Sequence, residues 1–208
     1  MIERTGVLGA IIAGGEGSRM GGMNKPLMVL GGKPLIAHAV ARLKTQAPNL
    51  IINANRDHDE ISKALPGGTK IVSDDAEYTG RGPLAGVHAC LREAAALDAT
   101  HMVTIAADTP FFPLNFVDML AAPDGRGAIR IANHGGYRHP LFALWPVSIL
   151  DDLEHFLADS EINKVTAFAT RHTVIDVPFA DDDDDPFFNI NTREDLALAQ
   201  ARLMGHAA

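Results

Sequence analysis

Four short apolar runs punctuate the first half of the chain: Val7–Ile12, Leu50–Asn53, Lys70–Val72 and 102–106. They are too brief for amphipathic helices and lack the alternation of half-exposed strands, so they read as buried strands of a parallel sheet. Segments 34–43 and 83–97 carry apolar residues at helical spacing with a proline in the first turn, and each predicts a helix. Weaker helical patterns cover 57–65, ended by Pro66-Gly67-Gly68, and 113–122. Beyond Pro123 the rhythm changes. Two strand-like runs, 128–133 and 139–145, flank His134-Gly135-Gly136-Tyr137-Arg138 and predict a hairpin, hence an antiparallel element at the edge of the sheet. A helix over 147–157, a strand over 173–177 and a last helix running from an N-cap at Thr192 to Met204 complete an α/β pattern without repeats.

With 208 residues, 47% of them hydrophobic, the chain can bury the core of a single domain spanning 1–208. The formal charge of -8 argues against a general nucleic-acid or acidic-membrane binder, so any phosphate site must be local. One cysteine, Cys90, permits no internal disulfide and suits a reducing compartment; its apolar helical setting favours a core residue over a nucleophile. No apolar stretch is long enough to cross a bilayer. The first apolar run follows Glu3 and Arg4 and feeds into glycines, which reads as a strand instead of a signal peptide, and a cytoplasmic protein is expected. The five adjacent aspartates at 181–185 repel one another and are expected in a solvated loop.

In an open parallel sheet, ligands bind along the carboxyl ends of the strands. Here the first strand runs into Ala13-Gly14-Gly15-Glu16-Gly17-Ser18-Arg19, the second ends at Asn53, the third at Asp74-Asp75 and the fourth at Asp108-Thr109-Pro110. Glycines let a backbone approach a polyphosphate and aim N–H groups at its oxygens, with Arg19 and Lys25 supplying charge; a plain flexible turn is the alternative. The loop lacks the Gly-Lys-Ser/Thr of a Walker A motif, and Met20 stands where a dinucleotide fingerprint needs its third glycine. Asp108 suits Mg²⁺, which takes one or two carboxylates plus substrate phosphates, or it caps the turn that follows. No His-Glu-x-x-His, paired cysteines or Gly-x-Ser-x-Gly supports metalloprotease, structural zinc or serine-hydrolase chemistry. Phosphoryl and nucleotidyl transfer ask little more of a protein than positioning, Mg²⁺ and cationic side chains.

The stretch Ile12-Ala13-Gly14-Gly15-x-Gly17-Ser18-Arg19-Met20-Gly21 with Lys25-Pro26, followed by Gly82-Pro83-Leu84-Ala85-Gly86, Asp108-Thr109-Pro110 and Asn189-Ile190-Asn191-Thr192, resembles the molybdenum cofactor guanylyltransferases, the MobA family, over nearly the whole chain. The resemblance implies a Rossmann-like three-layer sandwich in which the α-phosphate of Mg²⁺-bound GTP is attacked by the terminal phosphate of molybdenum-carrying molybdopterin. Products would be the guanine dinucleotide cofactor and pyrophosphate. By position, it implies Ile12, Ala13, Gly14 and Gly15 at the nucleotide, Lys25 at its phosphates with Arg19 assisting, Asn53 and Asp74 at the guanosine, and Asp108 at both GTP and metal. Asn189 and Asn191, with His139-Pro140 beside them, match the pterin-side and catalytic residues; read without the resemblance, the asparagines are a turn feeding the Thr192 cap and His139 a strand histidine. No general base is demanded, since a phosphate monoester with a second pKa near ~6 is already largely ionised at neutral pH. Proteins that deliver the cofactor and receive it, including molybdoenzyme chaperones, are implied partners. The chain departs from the family at Asn24, where aspartate is common.

Sister cytidylyltransferases, or enzymes with another phosphorylated acceptor, resemble Ala-Ala-Gly at positions 13–15 and Asp-x-Asp-Thr-Pro after 188. Gly14 leaves more room for a purine. A non-catalytic nucleotide-binding module would not need Lys25 and Asp108 together, and a dehydrogenase would want an acidic residue where Asn53-Ala54-Asn55 ends the second strand.

Overall fold

A computed structural model describes residues 2–14, 24–65, 67–125, 127–180 and 185–205. In chain order the elements are β1 (Val7–Ile12), β2 (Val29–Leu30), β3 (Lys33–Pro34), α1 (Leu35–Lys44), β4 (Leu50–Asn53), α2 (His58–Ala64), β5 (Lys70–Val72), α3 (Pro83–Ala96) and β6 (His101–Ala106). There follow α4 (Phe116–Ala121), β7 (Ile129–His134), β8 (Tyr137–Pro146), α5 (Leu150–Asp159), α6 (Val165–Ala169), β9 (Val174–Pro178) and α7 (Arg193–Gly205). A seven-stranded sheet has the order β5-β4-β1-β6-β8-β7-β9, and β2 pairs β3 in a small separate hairpin.

All six residues of β1 are buried, as its central place between β4 and β6 requires. Successive side chains of a strand face opposite sides, and they divide here between two cores. Val7 and Ile11 of β1, with Val103 and Ile105 of β6, pack against α1, α2 and α4. Leu8, Ala10 and Ile12, with Met102, pack against α3, α5 and α6. The uniformly apolar runs thus mark strands covered on both faces, and the result is the three-layer sandwich. Trp145 is fully buried in the second core, where its indole N–H donates to Thr104 Oγ1 at 2.8 Å and leaves no stranded donor. Cys90 lies fully buried on α3, and burial pushes its thiol well above the usual range, as a core residue requires.

The antiparallel part lies deeper in the sheet than its expected place at the edge. β8 runs antiparallel between β6 and β7, and β9, parallel to β7, forms the border. The border strand is held by Arg138 on β8, whose guanidinium donates to both oxygens of Asp176 at 2.6 and 2.8 Å. The hairpin is also tighter than the five residues anticipated. Only Gly135 and Gly136 turn, both at positive φ (58° and 78°), the pairing demanded by a two-residue turn that matches the strand twist. The short β2–β3 hairpin and the five-residue α6 lie below the length at which periodicity registers. Beneath the hairpin, Met28, Leu30, Leu35, Ile190 and Ala199 form a third, smaller core that seats α7 and the segment leading into it.

Candidate active site

Because β1, β4, β5 and β6 run parallel and in register, their carboxyl ends form one line. Ile12 pairs with Asn53 on one side and Ala106 on the other, and Asn53 pairs with Val72. The ladder extends one residue further, through Ala13 N–H to Asn53 O (2.8 Å), Ala54 N–H to Val72 O (2.9 Å) and Ala107 N–H to Ile12 O (3.1 Å). Ala13-Gly14, Asp74 and Asp108 therefore leave the sheet side by side.

Two adjoining cavities open over this edge. The first, about 240 Å³, is lined by Ile12, Lys25, Asp108, Asn189 and Asn191; the second, about 450 Å³, by Asn55, Asp74, Gly80 and Gly82. Ala13, Gly14, Asn24, Arg56 and Pro83 line both. Sizes of this order suit a small-molecule ligand extended across the two.

In the first cavity Lys25 Nζ lies 3.7 Å from Asp108 Oδ2 and donates to Asn191 Oδ1 at 2.5 Å. The two charged side chains are only 20% and 19% exposed. Burial raises the Asp108 carboxyl above the usual carboxylate range, and Lys25 offsets part of that shift. The asparagine segment is fixed from two directions: Ile190 N–H donates to the Asp108 carbonyl at 3.0 Å, and Asn191 and Thr192 N–H groups both donate to Asp195 Oδ2 at 2.8 Å. Asp195 N–H returns a bond to Thr192 Oγ1 at 3.0 Å, so the N-terminus of α7 is a reciprocal capping box. The hydrogen bonds from Asn191 outward hold the Asp195 carboxyl below its usual range.

In the second cavity Asp74 is gripped by two amides, Asn53 Nδ2 to Oδ1 at 2.8 Å and Asn55 Nδ2 to Oδ2 at 2.7 Å, while its own N–H donates to Asn55 Oδ1 at 2.8 Å. The neighbouring Asp75 ties the loop to α3: Arg92 Nη1 lies 2.7 Å from Oδ1 and His88 Nδ1 3.2 Å from Oδ2. Asn53 is 1% exposed and lines neither cavity, so it reaches the cleft through Asp74 and not directly. Its side chain explains two glycines. A Cβ at Gly14 would stand 2.9 Å from Asn53 Oδ1, and one at Gly86 would stand 2.3 Å from the same atom. A side chain at position 14 would therefore press on the amide of the buried asparagine, a packing reason for glycine that is independent of the base.

The structure brings Ile12, Ala13, Gly14, Lys25, Asp74, Asp108, Asn189 and Asn191 to one cleft. Gly15 and Arg19 lie outside the described residues, as do four of the five aspartates at 181–185; the fifth, Asp185, is exposed. His139 lines neither cavity and stacks on Phe187 with ring centroids 4.5 Å apart, and burial lowers its imidazole. Sequence reasoning noted Asn53-Ala54-Asn55 at the strand end but gave only Asn53 a place at the ligand and missed Asn55 and Arg56 as lining residues, although the same run of polar residues after β4 carried the signal. Among the described residues no cluster of three or more His, Cys, Asp or Glu could hold a metal by itself. One mostly buried carboxylate beside Lys25 fits a Mg²⁺ that takes most of its ligands from phosphates and water, and does not fit an all-protein cage.

Residues 9–174 match the MobA-like NTP transferase domain. A molybdenum cofactor guanylyltransferase of Mesorhizobium japonicum is 41% identical, with 97% of each chain covered, and one of Bradyrhizobium sp. is 40% identical over 94% of this chain and 92% of its own. Among solved structures, molybdopterin-guanine dinucleotide biosynthesis protein A of Archaeoglobus fulgidus superposes with a TM-score of 0.74 at 27% identity, covering 95% of this chain and 99% of that one. A 4-diphosphocytidyl-2C-methyl-D-erythritol synthase of Anaerococcus prevotii, 15% identical with a TM-score of 0.70 over 95% and 96% of the two chains, shares the fold. The chain belongs to the MobA-like NTP transferase family and is a nucleotidyltransferase.

Proposed function

We propose that this protein transfers GMP from GTP to the terminal phosphate of molybdopterin carrying molybdenum, releasing pyrophosphate. The observation that carries the reading is the meeting of Lys25, Asp108 and Asn191, drawn from three distant parts of the chain, in one cavity at the carboxyl edge of the sheet. The names of the relatives at about 40% identity supply the base and the acceptor.

Each residue has a physical task in that reaction. GTP extends across both cavities, with guanosine toward Asp74 and Asn55 and the triphosphate toward Lys25. An acceptor phosphate oxygen forms a bond to the α-phosphorus as the bond from that phosphorus to the bridging oxygen of pyrophosphate breaks. Negative charge grows on the leaving group and on the non-bridging oxygens, and Lys25 is placed to neutralise it. Asn189 and Asn191 hydrogen-bond the acceptor side, where an ionised phosphate needs orientation and no base. Asp108 would hold Mg²⁺, which supplies charge neutralisation and alignment of the phosphates when bound. Cofactor-delivery proteins and molybdoenzyme chaperones are the expected suppliers and recipients of a labile acceptor.

The test is a nucleotide panel. Pyrophosphate released from each NTP in the presence of Mg²⁺ and molybdenum-loaded molybdopterin should appear with GTP at a rate at least about tenfold above CTP, ATP and UTP. Faster release with CTP would reassign the base, and release without the acceptor would reassign the reaction.

A further inference from the structure

Arg56 has no task in the reaction described above, yet it lines both cavities at the point where they meet. Its side chain is 52% exposed, its Nε lies 3.8 Å from Asp57 Oδ2, and among the described residues neither Nη makes a hydrogen bond. The root of the side chain is fixed. Asp57 sits in the left-handed region at φ 57°, and Asn24 Nδ2 donates to its Oδ2 at 2.6 Å. An aspartate at position 24 would confront that carboxylate with a second one; the asparagine found here clasps it instead. Lys25, by contrast, is already engaged with Asp108 and Asn191. Among the described residues lining the two cavities, Lys25 and Arg56 are the only Lys or Arg side chains, set against the carboxylates of Asp74 and Asp108. A polyanion crossing from one cavity to the other must pass the guanidinium, whose planar fork matches phosphate oxygens in pairs.

We propose that Arg56 is a phosphate-binding residue that grips the nucleotide's phosphate chain at the junction of the two cavities, with Asp57 and Asn24 holding it in place. The inference rests on the nucleotide-transfer reading and assigns that site a further cation, one that sequence motifs did not flag. Equilibrium binding of GTP and of guanosine, with Mg²⁺, to the native protein and to Arg56→Gln and Arg56→Lys tests it. Arg56→Gln should weaken GTP tenfold or more and guanosine less than twofold, and Arg56→Lys should recover part of the GTP loss, because it keeps the charge without the fork. GTP affinity within twofold of native in Arg56→Gln, or an equal loss for GTP and guanosine, overturns the proposal. A native protein that prefers CTP over GTP fails the guanine assignment alone, since the comparison of triphosphate with nucleoside decides Arg56 with either base.

Discussion

Asp108 stands where the buried strand β6 gives out, and its burial works against its own ionised form. A carboxyl raised in the folded protein holds its proton more tightly there than in the unfolded chain. That group therefore favours the fold at low pH and loses this contribution as pH climbs above the unfolded value of ~3.9. At neutral pH the charged Asp108 is a stability cost, which the metal-holding role proposed above would account for. Asp108→Asn, which keeps the shape and removes the poorly solvated charge, should melt no lower than the native protein by calorimetry, while pyrophosphate release falls about a hundredfold or more. Mg²⁺ binding without nucleotide, followed by titration, should fail on acidification at a pH above ~3.9. The position of this aspartate was legible from its place after a buried run; the sign of its shift was not, because desolvation and the approach of Lys25 depend on residues 83 positions away in the chain.

The start of α7 couples a local cap to the chemistry of the cleft. Its capping box holds Asn191 in the geometry that accepts from Lys25: the Asp195 carboxylate accepts from the Asn191 N–H, and the hydroxyl of Thr192 acts on Asn191 only through Asp195, from whose N–H it accepts. Thr192→Ala should lower stability by about 1 kcal/mol in denaturant unfolding, and it should also reduce kcat for pyrophosphate release severalfold. Thr192→Ser should restore both. The cap itself was readable from Thr192 and Asp195, as were the helices with proline starts and the four parallel strands, because each rests on contacts within a few residues. Elements placed by distant partners were not. Nothing near β8 in the chain states that its neighbours will be β6 and β7, and the ladder that makes β9 the border pairs Ile129 with Val174 and Asn133 with Pro178, far apart in the chain.

The molecule as a whole is acidic, at -8, so the nucleotide proposed for its cleft must be held by a local field that outweighs the global one. The charge of Lys25 and the amide of Asn191 that accepts from it come from chain segments 166 residues apart, which the proposed nucleotide would tie together. Ligand that binds only the folded state stabilises it by mass action. GTP with Mg²⁺ at about a hundred times its Kd should add ~2.7 kcal/mol and raise Tm accordingly; in Lys25→Ala the same GTP concentration should produce a markedly smaller shift by scanning calorimetry. From its sequence alone this protein was legible as an α/β chain with polar groups at its strand ends, since hydrophobic periodicity and glycine chemistry are properties of neighbouring residues, and the order of its motifs carried the resemblance that implied nucleotidyl transfer. Only the tertiary structure decided that Asn53 is buried beneath Asp74, that Gly14 and Gly86 yield to it, and that Arg56 stands between the two cavities. Those outcomes depend on strand register and on the close approach of distant backbones, which no local run of residues encodes.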